Sequence, residues 1–396
     1  MTNLFYLKYK YTKVIDLKMP TFSGYKEQID QIRKLGECLK GGEFIESPFD
    51  IPIEEEQRGD PDKTDDDQNF LSEQNDVKSL EQGLVEGKKD IKSITYKPKL
   101  VYFLDGSLRT KYLGEYIEGE RGFCILSSEV SCAVVKKNVR SLEPFRIEKK
   151  LVFIFPHKDT GLISDTLFER LKRLDEIWGT QNNILRIGFL MKKEQKISDV
   201  RYSMEGKARH IMHTLELQIA EDFERGSDWL VMDGAIRKEE FLDLKNTIGL
   251  AKSFSRNPRF DLGDGKPLMI SRYLSKIREG ERSAVFKKIG ENNVAFCYVR
   301  LRVYPPMEPL GGLVKIDFKL DEDELSADKE RLIDEISAEV YALRSPSVYP
   351  LPRWPSMIYP IRMTELMMRS IRMNNEIIGY YSRELKNMIQ EGVISG

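Results

Sequence analysis

The chain has 396 residues, with 63 Lys and Arg against 64 Asp and Glu, and 40% hydrophobic and 32% charged side chains. That length suits two modest domains or one domain with large insertions, and a core of ordinary size needs neither disulfides nor structural zinc. No run of about 18 apolar residues occurs, which excludes a spanning helix. Lysines interrupt any signal-peptide core near the N-terminus. Cys38, Cys124, Cys132 and Cys297 lack CxxC spacing, which fits a reduced, cytoplasmic protein.

In chain order, LFYLKYKY near the start reads as a strand or arm able to dock a partner, and residues 26–42 form one amphipathic helix ending at Gly41 and Gly42. An N-terminal segment of 1–45 is followed by an acidic insert over 46–97. Residues 46–90 hold 15 acidic and 5 basic side chains, a local net of −10. Its few large apolar residues cannot offset chain entropy, so the insert is expected to be disordered, either a solvated linker or an acidic tether. From 98 onward strands and helices mix. VYFLDG (101–106) reads as a short strand ending in a turn, followed by strands at 123–135, 150–157 and 184–192. Helices are expected at 164–178, with Ser164 as N-cap, and at 199–225. Strands follow at 228–234, 248–254, 295–303 and 312–320. A helix over 326–344 and a last one over 361–391 complete the pattern of an α/β domain with a mixed sheet.

With only His157, His210 and His213, a metal site must rest mainly on carboxylates. FLDGS (103–107) and VMDGA (231–235) each deliver an Asp and a Gly after an apolar strand. If the strands are neighbours, Asp105 and Asp233 meet at the carboxyl edge of the sheet, where open α/β sheets place their sites. Paired carboxylates are hard-metal ligands. The alternative is two ordinary DG turns. On the 199–225 helix, His210, His213 and Glu216 lie along roughly one face. Glu216 flanks the apolar stripe, while the histidines read either as a zinc pair or as packing and surface residues.

The order FLDGS, a long helix with LEL, WLVMDG, IGLAKSF and FCYVRLR resembles the NurA nuclease family over about residues 98–375. The resemblance implies an RNase H-like mixed sheet flanked by helices, with 376–396 closing the last helix. It implies a homodimeric, Mn²⁺- or Mg²⁺-dependent nuclease acting on DNA with a HerA-type hexameric ATPase in end resection. By position, Asp105, Glu216 and Asp233 take the family's acidic places, and Lys252 takes the lysine of its IGxxK strand. A family segment like GYPYPLILAH becomes IYPIRMTEL, with Tyr359 aligned and Glu365 standing near the family histidine. Two ions are expected, one on Asp105 and Asp233, the other with Glu216 and Glu365. Lys252 would neutralise charge on the phosphate. Arg109, Lys111, Arg256, Arg259 and Arg272 are the expected nucleic-acid contacts. The other reading is a catalytically diverged adaptor that docks or regulates the HerA-type ATPase.

Overall fold

A computed structural model describes residues 22–46, 77–81, 88–181, 184–190, 200–236, 239–254, 259–261, 267–288, 294–303, 308–320, 324–346 and 354–394. The N-terminal arm, most of the acidic stretch and the residue Arg256 lie outside them. Strands are β1 (Glu43–Glu46), β2 (Val77–Ser79), β3 (Lys88–Asp90), β4 (Leu100–Glu118), β5 (Arg121–Lys137), β6 (Leu142–Phe155), β7 (Leu185–Phe189), β8 (Trp229–Asp233), β9 (Thr247–Ala251), β10 (Arg259–Asp261), β11 (Pro267–Met269), β12 (Glu281–Ser283), β13 (Phe286–Lys288), β14 (Val294–Arg300) and β15 (Leu313–Lys319). Helices are α1 (Phe22–Cys38), α2 (Asp165–Thr180), α3 (Val200–Glu221), α4 (Glu239–Leu242), α5 (Ile270–Leu274), α6 (Ala327–Ala342), α7 (Tyr359–Ser370) and α8 (Asn375–Ile394).

One mixed sheet runs β11-β10-β2-β13-β14-β15-β9-β8-β4-β5-β6-β7. Its centre is an antiparallel meander, β4-β5-β6, with β8 and then β9 added in parallel beside β4. Three meander strands with two parallel strands beyond the first, flanked by helices, are the RNase H-like arrangement that the resemblance implied. Gly119, at φ 62°, opens a two-residue turn that joins Glu118 to Arg121; a glycine with positive φ at that place suits the twist of a hairpin.

Successive side chains on a strand face opposite ways, and this sorts the core into two layers. Leu104, Leu126, Val130, Val134, Leu230 and Met232 pack against Met204, Ala208, Leu215 and Ile219 of α3. On the other face, Phe103, Val231, Ile248 and Leu250 meet Ile333 and Ile336 of α6 and Ile361 of α7. Further along that face, α1, α2 and α8 cover β5, β6 and β7. β5 is buried on both faces from Ile125 to Val135, including Ser127, Ser128, Glu129 and Ser131 that interrupt its apolar residues.

Three sequence expectations change. The strand at 101–106 does not end in a turn at Asp105–Gly106 but continues to Glu118. Within the expected insert, Val77–Ser79 and Lys88–Asp90 join the sheet through β13 and β12. Arg282, fully buried, fixes this region by donating to Glu81 Oε2 at 3.0 Å and to Asp334 Oδ1 at 2.6 Å. The last helix is divided in two. Asn374 Oδ1 accepts from Glu376 N at 3.1 Å and caps a new start. Glu129 Oε1 accepts the Met373 N–H at 2.7 Å and pins the break onto β5. The Ser164 cap stands as expected, and Ser326, where the helix over 326–344 was expected to start, caps α6; each accepts an N–H three residues on.

Candidate metal centre

The register of the sheet builds the site. Phe103 lies beside Val231 and Leu104 beside Met232, so Asp105 and Asp233 come next, side by side, on the face that carries Phe103 and Val231. Asp233 in turn pairs with Leu250 of β9. Lys252 follows two residues later, again on the same face. From above, α7 contributes Glu365. The carboxylate oxygens of Asp105, Asp233 and Glu365 lie within 4.8 Å of one another.

Two cations hold this group. Lys252 Nζ donates to Asp233 Oδ2 at 2.8 Å and to Glu365 Oε1 at 3.1 Å. Arg362, one turn earlier on α7, donates to Glu365 Oε2 at 2.7 Å. Both oxygens of Glu365 are therefore engaged. Burial works against charge on Glu365, yet Lys252 and Arg362 hold its carboxyl below the usual range. Burial likewise opposes the charge on Lys252, but Asp233, Glu365 and Asp105 hold its ammonium above the usual lysine range. Asp105 differs. It is 8% exposed, and no hydrogen-bond donor reaches its carboxylate among the described residues. Burial, then the neighbouring Asp233, raise its carboxyl well above the ordinary range.

A buried carboxylate without a donor, beside a second one, is a costly arrangement unless a cation completes it. The donor set is oxygen only, which fits a hard divalent ion such as Mg²⁺ or Mn²⁺ and does not fit a soft one.

Glu216 is placed differently from the expected fourth ligand. It is 5% exposed on α3 and reaches β4 from the opposite face, over Gly106. A Cβ at Gly106 would fall 2.2 Å from Glu216 Oε1. His213 Nδ1 lies 2.8 Å from Glu216 Oε2 and orients it. The Glu216 charge still bears on Asp105. The loop after Asp233 is tied down by Asp317, buried in β15, whose Oδ2 accepts from Ile236 N at 3.1 Å.

Tyr359 opens α7 and is 37% exposed; six helical residues amount to about 9 Å of rise and roughly 240° of rotation, so it projects from another side than Glu365. Arg109 donates to Glu129 Oε2 at 2.6 Å and to Met373 O at 2.5 Å. Lys111 is half-buried on β4 and Arg272 is exposed on α5. Arg259 lies in β10, and its side chain is outside the described residues. Arg362 and Asp317 were missed by sequence reasoning, while His213, read there as a zinc ligand or a packing or surface residue, instead orients Glu216. The i, i+3 spacings of Arg362 to Glu365 and of His213 to Glu216 are the signals that point to Arg362 and to this role of His213.

Among the solved structures similar to the chain are two nucleases. One is the NurA nuclease from Sulfolobus solfataricus, with 12% identity and a TM-score of 0.40 over 82% of this chain and 93% of that one. The other is an endonuclease V from Bacillus subtilis, with 12% identity and a TM-score of 0.30 over 77% of this chain and 92% of that one. No curated protein matches. A sequence model of the NurA domain matches residues 99–351, more than half of the chain, and with them β4, α3, β8 and β9; the chain belongs to the NurA domain family.

Proposed function

We propose that this protein is a divalent-metal-dependent deoxyribonuclease that hydrolyses phosphodiester bonds at DNA ends. The observation that carries the reading is the convergence of Asp105, Asp233 and Glu365 within 4.8 Å, in a domain of the NurA family. Asp105 and Asp233 would hold Mn²⁺ or Mg²⁺, with Glu365 beside them. When bound, the ion supplies Lewis-acid polarisation of the phosphoryl oxygen and a lowered pKa for attacking water.

The chain's own residues do the rest. Lys252 places a fixed positive charge beside the carboxylates, where it opposes the negative charge that develops on a phosphate in the transition state. Glu365, clamped between Lys252 and Arg362, keeps that ammonium in position. Glu216, oriented by His213, adds negative charge behind Gly106. Exposed Arg272 offers a contact for the phosphate backbone. Homodimer formation and work with a HerA-type hexameric ATPase in end resection rest on the family resemblance. Among the described residues no helix is long and apolar enough to cross a membrane.

The test is degradation of end-labelled linear DNA by the purified chain with Mn²⁺, Mg²⁺ or EDTA, alone and with a HerA-type ATPase and ATP. Metal-dependent degradation is the expected result. Absence of degradation in every lane while the ATPase is still bound would replace the nuclease reading with an adaptor.

A further inference from the structure

Nucleases that use two ions hold them about 4 Å apart on shared carboxylates, one for the attacking and one for the leaving oxygen. The place between Asp233 and Glu365 in this chain is already filled. Lys252 Nζ sits 2.8 Å from Asp233 Oδ2 and 3.1 Å from Glu365 Oε1. Its side chain is 9% exposed, and it leaves the backbone at the end of β9, a strand buried at every position. The ammonium is therefore held by the sheet, not by a mobile loop.

Glu365 is engaged through its second oxygen as well, by Arg362 at 2.7 Å. A metal on Glu365 would have to share oxygens that each already accept from a cation in a partly buried ion pair, in competition with both. Charge counting gives the same answer. Asp105, Asp233, Glu365 and Glu216 carry four negative charges, and Lys252 and Arg362 return two. The remaining −2 matches one divalent ion. A second would leave the protein side of the site positive before any substrate arrives.

Resting on the nuclease reading above, we infer that this site takes a single divalent ion, on Asp105 and Asp233, and that Lys252 is the built-in cation standing where a second ion would bind. Glu365 then serves as the positioning residue for Lys252, not as a metal ligand.

The experiment is calorimetric titration of the EDTA-stripped, dialysed full chain with MnCl₂, paired with low-temperature electron paramagnetic resonance of the loaded protein. Wild type is expected to bind one Mn²⁺ per chain, with the six-line signal of an isolated ion. Lys252→Met should raise the stoichiometry to two and give the multiline signal of a coupled pair, while Lys252→Arg, which keeps a cation, should stay at one. Melting of each variant in EDTA checks that it is folded. Two ions per wild-type chain would overturn the inference and leave the nuclease reading intact. One ion in a folded Lys252→Met would also overturn it. No ion in wild type would overturn the nuclease reading itself.

Discussion

Gly106 and Glu216 are in contact across the α3 face of β4: a Cβ built on Gly106 would meet Glu216 Oε1 at 2.2 Å and its Cδ at 2.9 Å. The glycine of the first DG pair is therefore not a turn residue. It is a gap in the side-chain row that lets a buried carboxylate approach the strand next to Asp105.

Gly106→Ala is accordingly expected to separate stability from activity. The obstructed atoms are the end of a flexible side chain, so the cost in stability should be small, about 1 kcal/mol or less by thermal melting. Glu216 must swing away and lose its 2.8 Å bond with His213. DNA cleavage should fall by about tenfold or more, in line with small misplacements of active groups. An unchanged rate would remove Glu216 from the account.

Asp105→Asn should make the metal-free protein more stable at neutral pH. Burial and Asp233 raise the folded-state carboxyl above the ordinary range, so between the two values the folded chain binds more protons than the unfolded one. Stability then falls as pH rises through that window and levels off above the raised value. In EDTA, the wild-type melting temperature should decline with pH across it, and Asp105→Asn should flatten the decline. Added Mn²⁺ should raise the wild-type midpoint, by about 2.7 kcal/mol of stability at a hundredfold excess over Kd, and leave the variant unmoved.

Arg109 was expected on DNA, but its guanidinium joins Glu129, which is 4% exposed, to the Met373 carbonyl at the junction of α7 and α8. Arg109→Met should cost about 1–3 kcal/mol, the range for a lost charged hydrogen bond, because Glu129 keeps the Met373 N–H and Lys149 at 3.7 Å; the readout is a shift in denaturation midpoint. A DNA-contact role would instead leave stability alone and lower the salt dependence of binding.

Arg272, exposed on α5, is the contrasting case. Arg272→Ala should leave the melting temperature within error, weaken DNA binding uniformly across sequences and reduce the slope of log affinity against log salt by about one. A slope identical to that of wild type would remove it from the DNA path.

Period-two alternation in FLDGS, VMDGA and IGLAKSF put Phe103 and Asp105, Val231 and Asp233, and Leu250 and Lys252 on one face of their strands, but that the strands are neighbours was a condition the spacing did not supply, and Lys252 entered through the family resemblance. The path of β4 was not legible, because a DG pair carries the same letters whether the glycine turns the chain or clears space for a residue 110 positions away. The ion pair of Lys252 with Glu365 and the tie from Glu129 to Met373 join residues more than a hundred positions apart. Nothing in local patterning marks such pairs. The break before α8 had a local signal in Asn374, a capping residue, but the apolar periodicity on either side masked it.

The most direct test of the central claim is single-turnover cleavage of end-labelled linear DNA in Mn²⁺ by wild type and Asp105→Asn, each first shown to be folded by melting in EDTA. The account predicts metal-dependent cleavage by wild type and a loss of about a thousandfold or more in the variant, despite its equal or higher metal-free stability. Cleavage by Asp105→Asn at the wild-type rate, or none by folded wild type with metal present, would contradict it.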